Sequence, residues 1–423
     1  MSDTAPGTID RETWHSIARG IAAAALWSEG MCAFIGAVPA PRLCQPARQA
    51  VLGGDFCEGA AGIARFLGHA ARIAAEDALR GAVVGAIRHG LARARGWSLH
   101  SGRPGAGLVG LELAELLGEP SLVQPSVEAI EAASETALAA TDSAPADLLG
   151  GLAGVVHGLV AALPYDLDGC WRSRAFELGR APLASASGAP AGICWPTSPG
   201  SAEHLCGLAR GAAGVALALA RLAALAPEAE GWAKAAAAAR GYERGWFSPE
   251  YASWADLRQD ALGPGGPGYP QLWCHGSVGI AHERLRAIAA GLADPLCPAD
   301  AAAAFAGAAA AAEPLLALPA GPGGSDRTNG SLCHGIGGVV DLLAEAHALA
   351  PDPAALSLMR RLVAFIRNDA GPERRWRSGI PGGGAPTPGL MLGRAGIGWA
   401  HLRAADPASL SAAWTLQIGR SDA

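Results

Sequence analysis

The sequence predicts an all-α chain built from repeated pairs of helices, and three observations predict it. Alanine is abundant, aromatic residues make up only 5% of the 423 residues, and β-branched runs are scarce. Segments such as 63–74, 215–225 and 339–349 place apolar residues all round a helical pattern, which reads as buried helix rather than strand. A short Gly-x-x-Gly unit opens a long apolar run seven times: Gly59/Gly62, Gly102/Gly105, Gly151/Gly154, Gly211/Gly214, Gly276/Gly279, Gly335/Gly338 and Gly393/Gly396.

Taken in chain order, residues 14–26 carry a helical pattern ahead of the first unit. Each unit then leads into a helix-like stretch, GIARFLGHAARIA from Gly62 and GVALALARLAAL from Gly214 being two examples. The spacing of roughly 40–65 residues leaves room for two helices and a loop per repeat. Glycine permits unusual dihedrals and close backbone approach where a helix begins. Seven such starts converging on one axis would leave a central cavity walled by the residues that flank the glycines. A repeat does not by itself say whether its array closes, so an open solenoid and a ring both fit. No domain boundary is expected between residues 50 and 410; the chain reads as one domain, 1–423, with 1–10 a flexible tail. Residues 182–203, 249–269 and 374–388 are rich in Gly, Pro and Ser and read as long inter-repeat loops near the cavity mouth.

Half of the residues are hydrophobic and 17% are charged, ample for a large core. A net charge of -6 with no Lys/Arg stripe argues against nucleic-acid binding. The most apolar stretches, such as 301–312, stop short of the roughly 18–20 residues a membrane span needs. The first residues lack the basic start and apolar core of a secretory signal. Nine cysteines, an odd number, fit a reducing cytosol better than a disulfide framework. A soluble cytoplasmic protein is expected.

The residues just before each unit carry the chemistry. Two places before the first glycine stand Cys57, His100, Leu149, Ala209, Cys274, Cys333 and Met391; one place before stand Glu58, Ser101, Gly150, Arg210, His275, His334 and Leu392. Thiolate and imidazole are zinc's ligand types, and three protein ligands leave a fourth position open for chemistry. Cys274, Cys333 and His334 are the natural trio. Taken singly, each Cys-His-Gly also fits a buried cysteine beside a satisfied histidine; their equivalent placement in neighbouring repeats favours the metal. Cys32, Cys44, Cys57, Cys170, Cys194, Cys206 and Cys297 have no comparable partner and read as small core or loop residues.

WCHGSVGI (273–280), SLCHGIGG (331–338) and PGLMLGRAGIGWAHLRAADP (388–407) resemble the lanthionine synthetase C family, and are closer to the cyclase portion of bifunctional class II enzymes than to the stand-alone nisin-type cyclase. FCEGAAGIARFL (56–67) is similar to that family's first repeat and DLLGGLAGVVHGL (147–159) to its third. The resemblance runs nearly the whole chain, to Pro407. It implies an α/α toroid of seven inner and seven outer helices with zinc near the top of the cavity, held by Cys274, Cys333 and His334. The metal would make a thiolate available at neutral pH. That thiolate adds to the β-carbon of dehydroalanine or dehydrobutyrine, and the enolate is then protonated at its α-carbon. Asp147 matches the family's acidic residue in the third repeat; it also fits a helix N-cap. In the fourth repeat the family usually reads Gly-x-x-His-Gly, where this chain has Gly207-Leu208-Ala209-Arg210-Gly211. Arginine is a poor proton donor but stabilises an enolate electrostatically. His275, a zinc-polarised water, or His204 from the preceding loop would then have to deliver the proton; His275 also fits a packing role.

The resemblance thus implies a lanthipeptide cyclase forming thioethers in antibiotic-type peptides. The chain has no dehydratase-sized segment, so its partners would be a precursor peptide already dehydrated and the separate dehydratase. Addition of a small thiol such as glutathione would use the same zinc chemistry. A zinc-containing, catalytically weak peptide scaffold is the reading Arg210 favours. A helical-toroid glycosidase or terpene cyclase would need paired carboxylates or an aspartate-rich cluster, where cysteine and histidine stand instead.

Overall fold

The structure is a computed structural model that describes residues 6–38, 47–198, 200–227, 231–318, 328–381 and 385–416. Residues 1–5 of the expected tail, and Cys44, lie outside the described residues. Among those described there are fourteen α-helices: α1 (Pro6–Ala23), α2 (Ala60–Ala74), α3 (Asp77–Arg93), α4 (Arg103–Leu117), α5 (Val123–Leu138), α6 (Leu152–Ala162), α7 (Cys170–Ser185), α8 (Ala212–Leu225), α9 (Trp232–Arg244), α10 (Ser277–Ala289), α11 (Cys297–Ala312), α12 (Ile336–Leu349), α13 (Pro353–Ala370) and α14 (Arg394–Ala405). The even-numbered helices each begin directly after the first glycine of one Gly-x-x-Gly unit, and the odd-numbered ones alternate with them. The helical-pair repeat read from sequence is therefore the repeat of the fold.

The even set is buried almost all round. In α8, for example, Val215, Leu217, Leu219 and Leu222 are all inside along with most of the alanines between them. Each such aliphatic side chain contributes roughly 1.5–3 kcal/mol on burial, and alanine lets neighbouring backbones close up at no side-chain entropy cost. The odd helices bury one face only, as in α13, where Leu358, Met359, Leu362, Val363 and Ile366 are inside and Arg360 and Arg361 are exposed.

The second glycine of each unit has a steric reason. At Gly62, Gly154, Gly214, Gly279, Gly338 and Gly396 an added Cβ would overlap the carbonyl oxygen six residues earlier, that of Phe56, Leu148, Leu208, Trp273, Leu332 and Leu390 respectively. At five of these sites the other close neighbour is the residue three places before the first glycine of the adjoining repeat: Leu390 on Gly62, Leu99 on Gly154, Leu148 on Gly214, Leu208 on Gly279 and Leu332 on Gly396. Glycine is thus where one repeat's leucine seats against the next repeat's helix.

Two compact units share the chain. The first comprises Met1–Arg95, Val109–Ser126 and Ala311–Leu416; the second comprises Gly96–Leu108, Val127–Ala310 and Gln417–Ala423, of which 417–423 are not described. In the first, α2 packs on α3, α1 on α14, and α12 on both α13 and α14. Its interior is stitched by buried charges. Arg65 of α2 pairs with Glu112 of α4 at 2.7 Å, stacks on Trp399 of α14 at 4.7 Å, and donates to the carbonyls of Ala413 and Thr415. Arg403 reaches Asp341 and Glu345 of α12, and Asp341 also accepts from the Ala413 N–H at 2.9 Å. The C-terminal segment around Trp414 is in this way anchored inside.

In the second unit α6 packs on α7 and α8, and α8 on α9 and α10. Helices α9, α10 and α11 share a buried ionic network. Arg284 contacts Glu243 at 2.6 Å, Asp300 at 3.0 Å and also Glu283; Arg240 contacts Glu283 at 2.7 Å; Arg244 contacts Asp294 and Asp300 at 2.7 and 2.8 Å.

Five two-stranded antiparallel hairpins decorate the helices: β1 (Leu26–Ser28) with β2 (Met31–Ala33), β3 (Ile35–Val38) with β4 (Arg48–Val51), β5 (Ser187–Ala189) with β6 (Gly192–Cys194), β7 (Phe247–Ser248) with β8 (Ser253–Trp254), and β9 (Leu262–Gly263) with β10 (Gly266–Pro267). They modify the expected loops. α7 runs three residues past Pro182, whose carbonyl is satisfied by the Trp195 indole N–H at 2.7 Å, and β5–β6 follows directly. The stretch 249–269 contains most of β7–β10. The described part of 374–388 holds neither helix nor strand. No disulfide joins the described cysteines, and no helix among the described residues is long and apolar enough to cross a membrane.

Candidate functional site

The pre-helix positions singled out by sequence are in register in space. In the second unit the Leu149 N–H donates to the Ala209 carbonyl at 2.8 Å, and the Ala209 N–H to the Cys274 carbonyl at 3.4 Å. In the first unit the Cys333 N–H donates to the Met391 carbonyl at 3.0 Å, and the Met391 N–H to the Cys57 carbonyl at 2.8 Å. All six residues stand two places before a first glycine. Within each unit two backbone rungs therefore hold three pre-helix positions in register and satisfy their peptide groups.

Cys274 is buried, and Cys333 and His334 are half-buried. Among the described residues their three donor atoms, two sulfurs and one imidazole nitrogen, lie within 4.8 Å of one another. Two thiolates and an imidazole are a donor set that suits zinc, whose bonds to sulfur and nitrogen run about 2.0–2.3 Å. Three donors leave a tetrahedral ion one open position. The His334 backbone N–H donates to the Ser331 hydroxyl at 3.4 Å, which steadies the turn that presents it. Gly276, next after His275, has φ +92, and a Cβ there would overlap the Pro270 carbonyl oxygen, so only glycine lets the chain turn from the Cys-His pair into α10.

Asp147 is buried, and its Oδ1 accepts the Gly150 N–H at 2.7 Å. The N-cap of α6 is Gly151, so Asp147 does not cap the helix; it closes the turn ahead of it. Asp55 does the same in the first repeat, accepting the Glu58 N–H at 2.9 Å. Burial raises the Asp147 carboxyl above its ordinary acidity range, opposed by the Gly150 hydrogen bond and by the Arg210 charge. Arg210 is exposed. His275 is buried and faces Asp256, Nδ1 to Oδ1 at 3.9 Å. His204 is engaged elsewhere, its Nδ1 against the Ala202 carbonyl at 3.0 Å and its own carbonyl accepting the Tyr242 hydroxyl. His100, in the register of the cysteines, is wholly buried; burial pushes its imidazole down to about 4, so it is neutral.

Three polar residues around the pre-helix turns were not picked out by sequence. Glu58 accepts the Leu392 N–H at 2.7 Å and lies against Gly389, where no Cβ would fit. Burial, reinforced by the nearby Asp55, holds its carboxyl well above the ordinary range. Asp256 and Arg258 form a bidentate pair beside His275. Glu58 was visible only as one member of the register column. Asp256 and Arg258 lie in an irregular loop with no repeat to mark them.

The sequence profile of the lanthionine synthetase C-like protein family matches residues 50–416. No curated protein sequence matches. Among solved structures, nisin cyclase superposes with a TM-score of 0.57 at 17% identity, over 82% of this chain and 88% of its own. That likeness shows the α/α toroid fold. An inactive variant of an α-1,6-mannanase of Salegentibacter sp. bound to α-1,6-mannotriose aligns over 95% of this chain and 99% of its own at 11% identity, with a TM-score of 0.43, too low to carry weight. A profile spanning all seven glycine units and the fold of a lanthionine cyclase point the same way: the chain belongs to the lanthionine synthetase C-like family.

Proposed function

We propose that this chain is a zinc-dependent lanthipeptide cyclase, which adds cysteine thiolates to dehydroalanine or dehydrobutyrine in a precursor peptide to form (methyl)lanthionine thioethers. The observation that carries the reading is the donor set of Cys274, Cys333 and His334 in a chain of this family. Those three residues would hold the metal. When bound, zinc would lower the pKa of a coordinated thiol so that thiolate is present at neutral pH.

The chain's own groups then have distinct tasks. Arg210, which is exposed, would act through its charge on the Asp147 carboxyl. Asp147, whose carboxyl burial shifts toward the acid form, would return a proton to the α-carbon, and His275, 3.9 Å from Asp256, is the second candidate for that proton. The substrate peptide would arrive already dehydrated by a separate enzyme, in a reducing cytoplasm that keeps its cysteines as thiols.

The test is zinc content together with turnover of a dehydrated peptide. About one zinc per chain is expected, lost in Cys274→Ala, Cys333→Ala and His334→Ala. Cyclisation leaves mass unchanged but removes a thiol that maleimide would otherwise label. A mass gain of one added thiol would mean addition of a glutathione-like molecule instead. Zinc and peptide binding without turnover would favour the scaffold reading, which the arginine at position 210 supports. Absence of zinc from the wild type would remove the mechanism.

A further inference from the structure

The stretch from Trp246 to Gln271 is an excursion between α9 and α10 that is folded tightly onto the start of α10. Trp254 is buried with its ring 4.8 Å from that of Phe247. The Ser253 hydroxyl donates to the Pro270 carbonyl at 2.7 Å and accepts the Ser277 N–H at 3.2 Å. The Asp256 N–H donates to the Gly268 carbonyl at 2.8 Å. Asp256 is therefore fixed at backbone level, and its side chain is 5% exposed.

That buried carboxylate faces two cationic or potentially cationic groups. His275 lies at 3.9 Å. Arg258 donates Nε–H to Oδ1 at 3.0 Å and Nη2–H to Oδ2 at 2.7 Å, and its backbone N–H also donates to Oδ1, at 3.3 Å. Arg258 itself is 38% exposed. An ordinary surface pair leaves both partners in water and is worth little. Here the carboxylate is desolvated and the guanidinium is not, an arrangement that costs energy and that helix packing does not require. Guanidinium carries five N–H donors in a rigid fork. Asp256 engages the Nε and Nη2 side of the fork. The result is a pinned, partly exposed cation on a carboxylate that also faces His275, the sequence neighbour of the proposed metal ligand Cys274.

We propose that Arg258 binds the carbonyl oxygen of the dehydrated residue and stabilises the enolate formed when sulfur adds, with Asp256 as its positioning residue. In that step a sulfur lone pair forms the C–S bond at the β-carbon. The π pair of the C=C bond moves to the α-carbon and is shared with the carbonyl oxygen, which Arg258 neutralises. A proton then adds to the α-carbon, replacing the one the thiol gave up, and no oxidant or reductant is consumed. Preorganisation is the point: a fork already held by a buried carboxylate needs no reorientation as charge develops.

The inference rests on the cyclase reading, and the experiment separates the two. The zinc-loaded wild type, Arg258→Met, Arg258→Lys and Asp256→Asn are compared on a synthetic peptide with one dehydroalanine and one cysteine. Affinity is measured in parallel for the same peptide with serine in place of cysteine, which binds but does not react. Arg258→Met is expected to lower kcat roughly 100-fold while the affinity for the unreactive peptide changes less than about threefold. Arg258→Lys, which keeps the charge without the fork, recovers part of the loss, and Asp256→Asn falls between. Unchanged kcat in Arg258→Met overturns the assignment, as does a loss confined to peptide affinity. A zinc-loaded wild type that binds the peptide without closing the ring removes the cyclase reading, and this one with it, before any variant is made.

Discussion

Raising the pH from 5 to 8 is expected to strip a proton from Glu243 and weaken the fold. Glu243 is wholly buried at the centre of the network joining α9, α10 and α11. Four carboxyls (Glu243, Glu283, Asp294 and Asp300) there meet three guanidiniums (Arg240, Arg244 and Arg284), so one acid is in excess. Burial raises Glu243 from its ordinary 4.5 to about 7, against the pull of Arg284 and with help from the charge of Glu283. Because the folded value is the higher, the native state holds an extra proton between those pH values. The contribution is fully present below pH 4.5 and is lost as pH rises through 7. A shift of that size is worth roughly 3 kcal/mol in full, most of it falling between pH 5 and 8. The assay is urea unfolding of the wild type and Glu243→Gln at several pH values across that range. Glutamine still offers Arg284 an oxygen but does not titrate. The wild type should lose roughly 2–3 kcal/mol relative to the variant from pH 5 to 8; parallel curves would refute the reasoning.

Three further outcomes are expected. Gly279→Ala places a methyl on the Trp273 carbonyl oxygen and 2.8 Å from the Leu208 Cβ; a loss of about 1–3 kcal/mol or more should appear in thermal melts, while Gly188→Ala, with nothing nearby, should stay within about 0.5 kcal/mol. Arg65→Met strands Glu112, a carboxyl that burial would raise but that Arg65 and His69 hold down to about 2; denaturant titration near neutral pH should show a loss of about 3–5 kcal/mol, shrinking as pH falls through 4.5 toward 2. Asp147→Asn keeps an oxygen for the Gly150 N–H, so the melting temperature should hold while turnover of a dehydrated peptide falls roughly 100-fold or more; unchanged turnover would reduce Asp147 to a turn-closing residue.

The repeat was legible because its glycines answer a hard steric demand. At Gly62 or Gly396 any side chain would strike a carbonyl oxygen, so the pattern survives in plain letters. The same register exposed Cys274, Cys333 and His334, since they stand at matching places before the first glycine of their repeats. The hairpins were not legible: strands of two to four residues are too short for alternation to show. Pro182 suggested a loop, but it sits in the last turn of α7, where Trp195, thirteen residues on, satisfies its otherwise orphaned carbonyl. Asp147 looked like a cap by its type and place, yet Gly151 takes that position in extended backbone and Asp147 closes the preceding turn. Asp256 and Arg258 depend on a fold-specific excursion that has no periodicity to announce it.

The rungs from Cys333 to Met391 and from Met391 to Cys57 join the seventh repeat to the first, and Leu390 seats on Gly62 as Leu332 does on Gly396. The first and last units of the series are therefore each other's caps: deleting or doubling either one would leave Leu390 or Gly62 without its seat. What remains free to vary is the length and content of the connections, and it is one of these, the excursion before α10, that brings Asp256 and Arg258 to the Cys274 side of the site.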